Sequence, residues 1–154
     1  RGVHLDPDGP TLGCALAGAV AQSAALAAAR ETLLRVPPNV AVATRWRDSS
    51  ATITCRGPVP TTMTTVARYE VTAVDGPTVR VRRDVTVRLR GQAIAGGRTV
   101  TVTGGGEGSA TIELDAALGR VRRVDAETRT TVTVTLPDAA REFAQQVRTE
   151  VRAR

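Results

Sequence analysis

The side chains that could carry out chemistry are few and scattered along the chain. There is one histidine, His4, and there are two cysteines, Cys14 and Cys55. One histidine and two cysteines do not complete a four-ligand zinc site, and a nucleophilic serine needs a base that His4, in an irregular arm, does not supply. We therefore expect no catalytic residues, no metal and no cofactor, and we interpret the chain as a protein that is not an enzyme.

The two cysteines are candidates for a disulfide, and the alternative is a pair of buried free thiols. A Cys14–Cys55 bond would close a loop of about forty residues and contribute roughly 3–4 kcal/mol in the chain-entropy model. Such bonds persist outside the cytoplasm, so we expect the bond to be present if the protein is exported.

All 21 basic side chains are arginine, against 15 acidic side chains, for a formal net charge of +6. The missing lysine is typical of a GC-rich bacterial genome; the alternative is that arginine serves to bind phosphate or carboxylate in bidentate fashion. Arg80, Arg82, Arg88 and Arg90 alternate with apolar residues and predict a basic outer sheet face. Binders of single-stranded nucleic acid add aromatic platforms, and aromatic residues are only 2% of this chain, so nucleic acid is not an expected partner.

Two further motifs invite a chemical interpretation. The run Gly104-Gly105-Gly106-Glu107-Gly108 is followed by a strand and lacks the lysine of a phosphate-binding loop, so it predicts a flexible hairpin or bulge. Glu113 and Asp115 are two apart and share a strand face, where solvated ion pairs with neighbouring arginines are the expected arrangement.

Hydrophobic periodicity predicts the elements that hold these side chains. Residues 1–11 form an irregular arm, and residues 12–154 form a single domain. Residues 12–35 have the spacing of an Ala-rich helix, which Pro37-Pro38 ends. A period of two then continues to Leu136, with a hairpin turn at Asp75-Gly76-Pro77. Residues 138–152 place Phe143, Val147 and Val151 at helical spacing after Asp138, which predicts a C-terminal amphipathic helix.

The predicted fold class is α+β, mainly β. A curved antiparallel meander of five to seven strands, similar to a half-barrel, would carry one helix near each end. A helix-grip fold, with the sheet curved around a long C-terminal helix, is the alternative. No transmembrane span is expected, because the Ala-rich run is polar at its centre. The inward apolar residues would form a ligand or partner face: Val81, Val85, Val87, Leu89, Ile112, Leu114, Val132, Val134, Phe143 and Val147.

Two stretches carry a resemblance to a known family. Pro37-Pro38-Asn39-Val40-Ala41-Val42 is followed by Trp46, and Gly104-x-Gly106-x-Gly108 is followed by Ile112-x-Leu114-Asp115 and Gly119-x-Val121. The region resembles a family of bacterial extracytoplasmic domains of unknown function, often found in lipoproteins. The resemblance implies a curved antiparallel sheet, similar in outline to lipoprotein-carrier half-barrels, and no catalytic residues. It also implies an extracytoplasmic location, in the periplasm, the cell envelope or the secreted fraction.

The expected function is that of a non-catalytic cell-envelope module that binds a lipid-like ligand or a protein partner. The alternative is a structural or assembly subunit that packs against other chains. The sequence leaves the oligomeric state open.

Overall fold

The computed structural model describes Cys14, Leu34 and residues 36–152. Within these residues the chain forms one open antiparallel sheet with the strand order β1-β2-β3-β4-β5-β6 and no helix. The strands are β1 (Arg45–Arg56), β2 (Val59–Asp75), β3 (Thr78–Ala95), β4 (Arg98–Asp115), β5 (Arg120–Leu136) and β6 (Ala139–Arg152). The prediction of a β-rich antiparallel meander is confirmed, whereas the α+β class is wrong. The predicted arm over residues 1–11 and the predicted helix over residues 12–35 lie outside the described residues, apart from Cys14 and Leu34.

The predicted C-terminal helix is wrong, because Ala139–Arg152 is a strand that pairs with β5 along its whole length. A spacing of four residues is close to one helical turn but is also two periods of a strand. Phe143, Val147 and Val151 therefore share a face in either structure. Pairing prevails over helix propensity because it satisfies the backbone groups along β5. Asp138 consequently lies in a turn, and the helix-grip alternative is wrong as well.

Short turns join the strands. The connections at residues 57–58, 76–77, 96–97 and 137–138 have two residues each. Gly96 and Gly97 both have positive φ, 59° and 75°, which is the pattern of a type I′ turn, whose twist matches that of the flanking strands. The predicted turn at Asp75-Gly76-Pro77 is confirmed.

The side chains alternate between an apolar inner face and a polar outer face. The inner face holds two buried clusters. Cluster 1 comprises Ala67, Tyr69, Val71, Val79, Val81, Ala110, Ile112, Leu114 and Val124. Cluster 2 comprises Val59, Val87, Leu89, Val102 and Val132.

The chain before β1 covers part of cluster 1. Leu34, Val36, Val40 and Trp46 pack against it. The Trp46 ring stacks on Tyr69 with the ring centroids 4.9 Å apart. Two backbone hydrogen bonds of 2.9 Å fix this segment to β2: Ala43 N–H donates to the Val71 carbonyl, and Val71 N–H donates to the Thr44 carbonyl.

The sheet curls until its first and last strands interact across the inner face. Arg56 of β1 donates a hydrogen bond of 3.1 Å from Nη1 to Oε1 of Gln145 in β6. In a flat sheet, five strand spacings would separate β1 from β6 by roughly 24 Å, beyond the reach of these two side chains. The described sheet is therefore strongly curved although it remains open.

Three glycines of β4, Gly104, Gly106 and Gly108, face the inner side of the sheet where it bends and where the β5 backbone comes close. A Cβ atom at Gly108 would lie 2.6 Å from Thr128 Oγ1 and 2.7 Å from the Glu127 carbonyl oxygen. At Gly104 and Gly106 a Cβ atom would collide with the backbone of β5. The glycine run is thus a bend in the middle of a strand, where a neighbouring backbone comes close, and the predicted flexible hairpin or bulge is wrong.

A buried carboxylate organises the β4–β5 turn. Asp115 is 4% exposed and accepts hydrogen bonds from Ala117 N–H at 3.0 Å, from Leu118 N–H at 3.1 Å and from Arg122 Nη2. Asp115 is therefore buried in the turn, whereas a solvated position was predicted for it, and Arg122, which the β4–β5 register skips, is its ion-pair partner. The Arg122 hydrogen bond is the largest influence on the pKa of Asp115 and, with the backbone donors, outweighs burial and holds that pKa below its ordinary value.

We expect Gly106→Ala to lower the free energy of unfolding by about 3 kcal/mol, because the new methyl group must push the β5 backbone away. The matched control is Gly105→Ala, where the Cβ points to the outer face and meets the Val87 carbonyl oxygen at 3.0 Å. Gly105→Ala should lower the free energy of unfolding by clearly less than Gly106→Ala does. Urea unfolding of both variants measures the difference, and equal losses would contradict the bend described for β4.

We expect Asp115→Asn to weaken the fold at neutral pH and to flatten its acid response. The pKa of Asp115 is lower in the folded state than its ordinary value of 3.8. The carboxylate therefore stabilises the fold above that value, and this contribution is lost as the pH falls through the folded-state pKa. Urea unfolding at pH 7, 4 and 3 tests this expectation. Asp84→Asn, at a site 54% exposed, is the control and should lower the free energy of unfolding at pH 7 by less than Asp115→Asn does.

Candidate functional site

Most residues of the predicted ligand face are core residues of the sheet. Val81 and Ile112 are 0% exposed and Leu89 is 2% exposed. Phe143 and Val147 differ from the others, with 52% and 45% of their surfaces exposed. The remaining members are buried or half-buried: Val85, Val87, Leu114, Val132 and Val134.

The exposed pair belongs to β6, which is an edge strand of the sheet. Residues 139–148 are all exposed, and only Thr149 and Val151 are half-buried. One edge of β6 pairs with β5, and no described strand pairs with the other edge. A row of backbone N–H and C=O groups on that edge is thus available to another strand.

Phe143 and Val147 lie on the inner side of β6, with Gln145 between them. The register places them opposite Val132 and Thr128 of β5. Gln145 accepts the hydrogen bond from Arg56, whose Nε is buried and has no acceptor in the described part of the chain. This region therefore combines two exposed apolar side chains with a guanidinium group that has a donor to spare.

On one part of the outer face, carboxylates on β2 and β4 pair with the arginines and neutralise their charge. Glu70 accepts hydrogen bonds from Arg45 at 2.9 Å and from Arg82 at 3.3 Å. The Arg45 hydrogen bond is the largest influence that lowers the pKa of Glu70. Arg80 forms an ion pair with Glu113 at 3.6 Å. Two arginines of the predicted basic face are thus part of an ion-pair network.

The network continues on β5 and β6. Asp125 pairs with Arg123 at 2.7 Å and raises the pKa of that guanidinium above its ordinary value. Glu127 pairs with Arg129 at 2.8 Å and with Arg148 at 3.2 Å. On this part of the outer face each of these arginines has a carboxylate beside it.

Arg88 and Arg90 complete the predicted basic face and differ from the first two. Within residues 36–152, neither makes an ion pair or a side-chain hydrogen bond. Their cross-strand neighbours are uncharged: Thr64 and Gly105 flank Arg88, and Thr62 and Thr103 flank Arg90. The four arginines therefore share a strand and a face, and the structure separates them into a neutralised pair and a free pair.

The alternation of residues along β3 predicts one basic surface for all four arginines, and only the pairing register separates them into two pairs. The β2–β3 register shifts between Val71 and Ala73, which brings Glu70 opposite Arg82. An unshifted hairpin built from the turn at residues 76–77 would place Glu70 opposite Arg83 instead. The pairing of Glu70 with Arg82 thus depends on this bulge, and no residue pattern in the sequence predicts the bulge.

Cys14 and Cys55 are joined by a disulfide with their Cα atoms 5.2 Å apart. The bond attaches Cys14 to the end of β1. No group of three or more His, Cys, Asp or Glu side chains in the described ranges is arranged to hold a metal ion. No helix among the described residues is long and apolar enough to cross a membrane.

Over residues 36–152 the geometry defines an all-β, single-sheet fold with an exposed edge strand and an outer face divided by charge. No protein-family model, no curated protein and no solved structure is significantly similar to the chain. The family resemblance stated from the sequence stays a prediction.

Proposed function

We propose that the chain is a non-catalytic, extracytoplasmic binding module that takes up a protein partner by strand addition at β6. The observation that carries the proposal is this 14-residue edge strand, whose exposed side chains include Phe143 and Val147. A lipid-like ligand is less well supported, because the inner apolar residues that would hold it are packed into clusters 1 and 2.

The disulfide supports the location. Disulfides persist in oxidising compartments and are rare in the cytosol, where thiols are kept reduced. The Cys14–Cys55 bond joins residues 41 positions apart. It therefore suits a protein of the periplasm, the cell envelope or the secreted fraction.

The partner is expected to supply an extended segment with apolar side chains at alternate positions. Backbone hydrogen bonds to β6 would provide affinity, and the apolar side chains would cover Phe143 and Val147 on the inner side. Each such cross-strand contact contributes about 0.2–1 kcal/mol. Because Arg56 of β1 reaches Gln145 of β6, the space beside this edge suits a single segment better than the sheet of a second copy.

The experiment is a selection of displayed linear peptides against the whole protein, followed by hydrogen exchange of the best complex. We expect amide protection along β6 and loss of binding in the double variant Phe143→Lys, Val147→Lys. The matched control is Ile94→Lys, an exposed apolar position on β3 that is 79% accessible, and it should bind normally. Protection outside β6, or equal binding by the double variant, would refute the proposal.

Assembly of copies of this chain is the second candidate, because the β6 sequence is self-complementary. In a two-fold antiparallel pairing centred on Gln145, Phe143 would face Val147 of the second copy, and Glu142 would face its Arg148. Light scattering across a range of protein concentrations tests for such a dimer. A dimer that Glu142→Arg weakens and added Arg148→Glu restores would favour assembly, and a monomer at all concentrations would exclude it.

A further inference from the structure

Two pairs of arginines on β3 form a natural comparison. Arg80 and Arg82 contact carboxylates on β2, β3 and β4, at distances between 3.3 and 3.6 Å. Arg88 and Arg90 have the same spacing and the same outward direction, and neither contacts a carboxylate in the described residues. The second pair therefore retains its full hydrogen-bonding capacity.

The free pair lines a shallow cleft on the outer face that is wide open to solvent. Short side chains surround the two arginines, because Thr64 lies opposite Arg88 on β2 and Gly105 lies opposite it on β4. Gly105 has no side chain, so the backbone of β4 forms an open floor beside the Arg88 side chain. The hydroxyls of Thr62, Thr86 and Thr103 also belong to the lining.

We propose that Arg88 and Arg90 form a binding site for a phosphate-type oxyanion, with the threonine hydroxyls as additional donors. Residues two apart on a strand lie about 6.7 Å apart, so both guanidinium groups can converge on one group of this size. Each guanidinium presents a fork of N–H donors that matches two oxygens of a phosphate. The arrangement offers positive charge and several donors at the same point.

The remaining charges and the chemistry of the lining limit the ligand further. Among the described lining residues one is acidic, Glu107, and it makes no ion pair with Arg88 or Arg90. The cleft retains two positive charges against one negative charge. No aromatic side chain is among the lining residues, so the cleft has no platform on which a nucleobase could stack. The phosphate group itself is therefore the feature recognised.

Calorimetric titration of the whole protein with inorganic pyrophosphate at low ionic strength tests the site. We expect the Arg88→Gln, Arg90→Gln variant to bind at least about tenfold more weakly, because two charge-assisted contacts are lost. The matched control is Arg80→Gln, Arg82→Gln, which removes the same charge from the same strand and face. It should change affinity by less than about twofold, because those arginines are neutralised by their carboxylates.

Two further arms sharpen the test. The variant Arg88→Lys, Arg90→Lys keeps the charge and loses the planar forks, so its affinity should fall between those of the wild type and the glutamine variant. Flotation with phosphatidylglycerol vesicles, compared with phosphatidylcholine vesicles, separates a lipid headgroup from a free phosphate as the source of the group. Equal losses in the two glutamine variants, or no binding of pyrophosphate by the wild type, would overturn the proposal. Thermal unfolding of each variant verifies that it is folded.

Discussion

The close approach of the β5 backbone to the glycines of β4 is the contact on which the rest of the structure depends. Gly104, Gly106 and Gly108 leave no room for a side chain on the inner face, and this lets the sheet bend at that level. The bend brings Arg56 of β1 within hydrogen-bonding distance of β6. It also shapes the outer face, because Gly105 on the opposite side of the same run leaves the floor of the Arg88–Arg90 cleft open. One run of small residues thus determines both the curvature of the core and the shape of the proposed anion site.

The division of the outer face by charge follows from register, since every strand carries arginines. Where the register sets a carboxylate opposite an arginine, as at Glu70 and Arg82, the pair is solvated and contributes little to stability. Where it sets threonine or glycine opposite an arginine, as at Arg88, the guanidinium makes no ion pair with any described carboxylate. Because exposed ion pairs stabilise so weakly, leaving Arg88 and Arg90 unpaired costs the fold little. A role of Arg88 and Arg90 in ligand binding is therefore compatible with the stability of the sheet.

Much of the sheet could be predicted from its two-residue period and from the turn at Asp75-Gly76-Pro77, since both are local signals. The predictions were wrong where a helix and a strand share one residue spacing, or where a contact with a distant strand determines the local structure. A spacing of four residues in β6 satisfies a helix and a strand equally, and only pairing with β5 distinguishes them. The glycines of β4 looked like a turn because the backbone they accommodate belongs to another strand. The proposed Arg88–Arg90 site could be predicted only in part: the residues were identified, but their separation from the neutralised pair depends on the bulge between Val71 and Ala73, which brings Glu70 opposite Arg82.

The two proposed surfaces lie on opposite faces of the sheet, with Phe143 and Val147 directed inward from β6 and Arg88 and Arg90 directed outward from β3. Strands β4 and β5 separate them, so neither surface needs the other in order to form. A ligand in the outer cleft would contact threonine and arginine side chains without disturbing clusters 1 and 2, which lie on the inner side. A partner strand at β6 would extend the sheet without covering β3. The two proposed sites are therefore compatible with each other, because a ligand on the outer face and a partner strand at β6 would occupy different strands and different faces of the sheet.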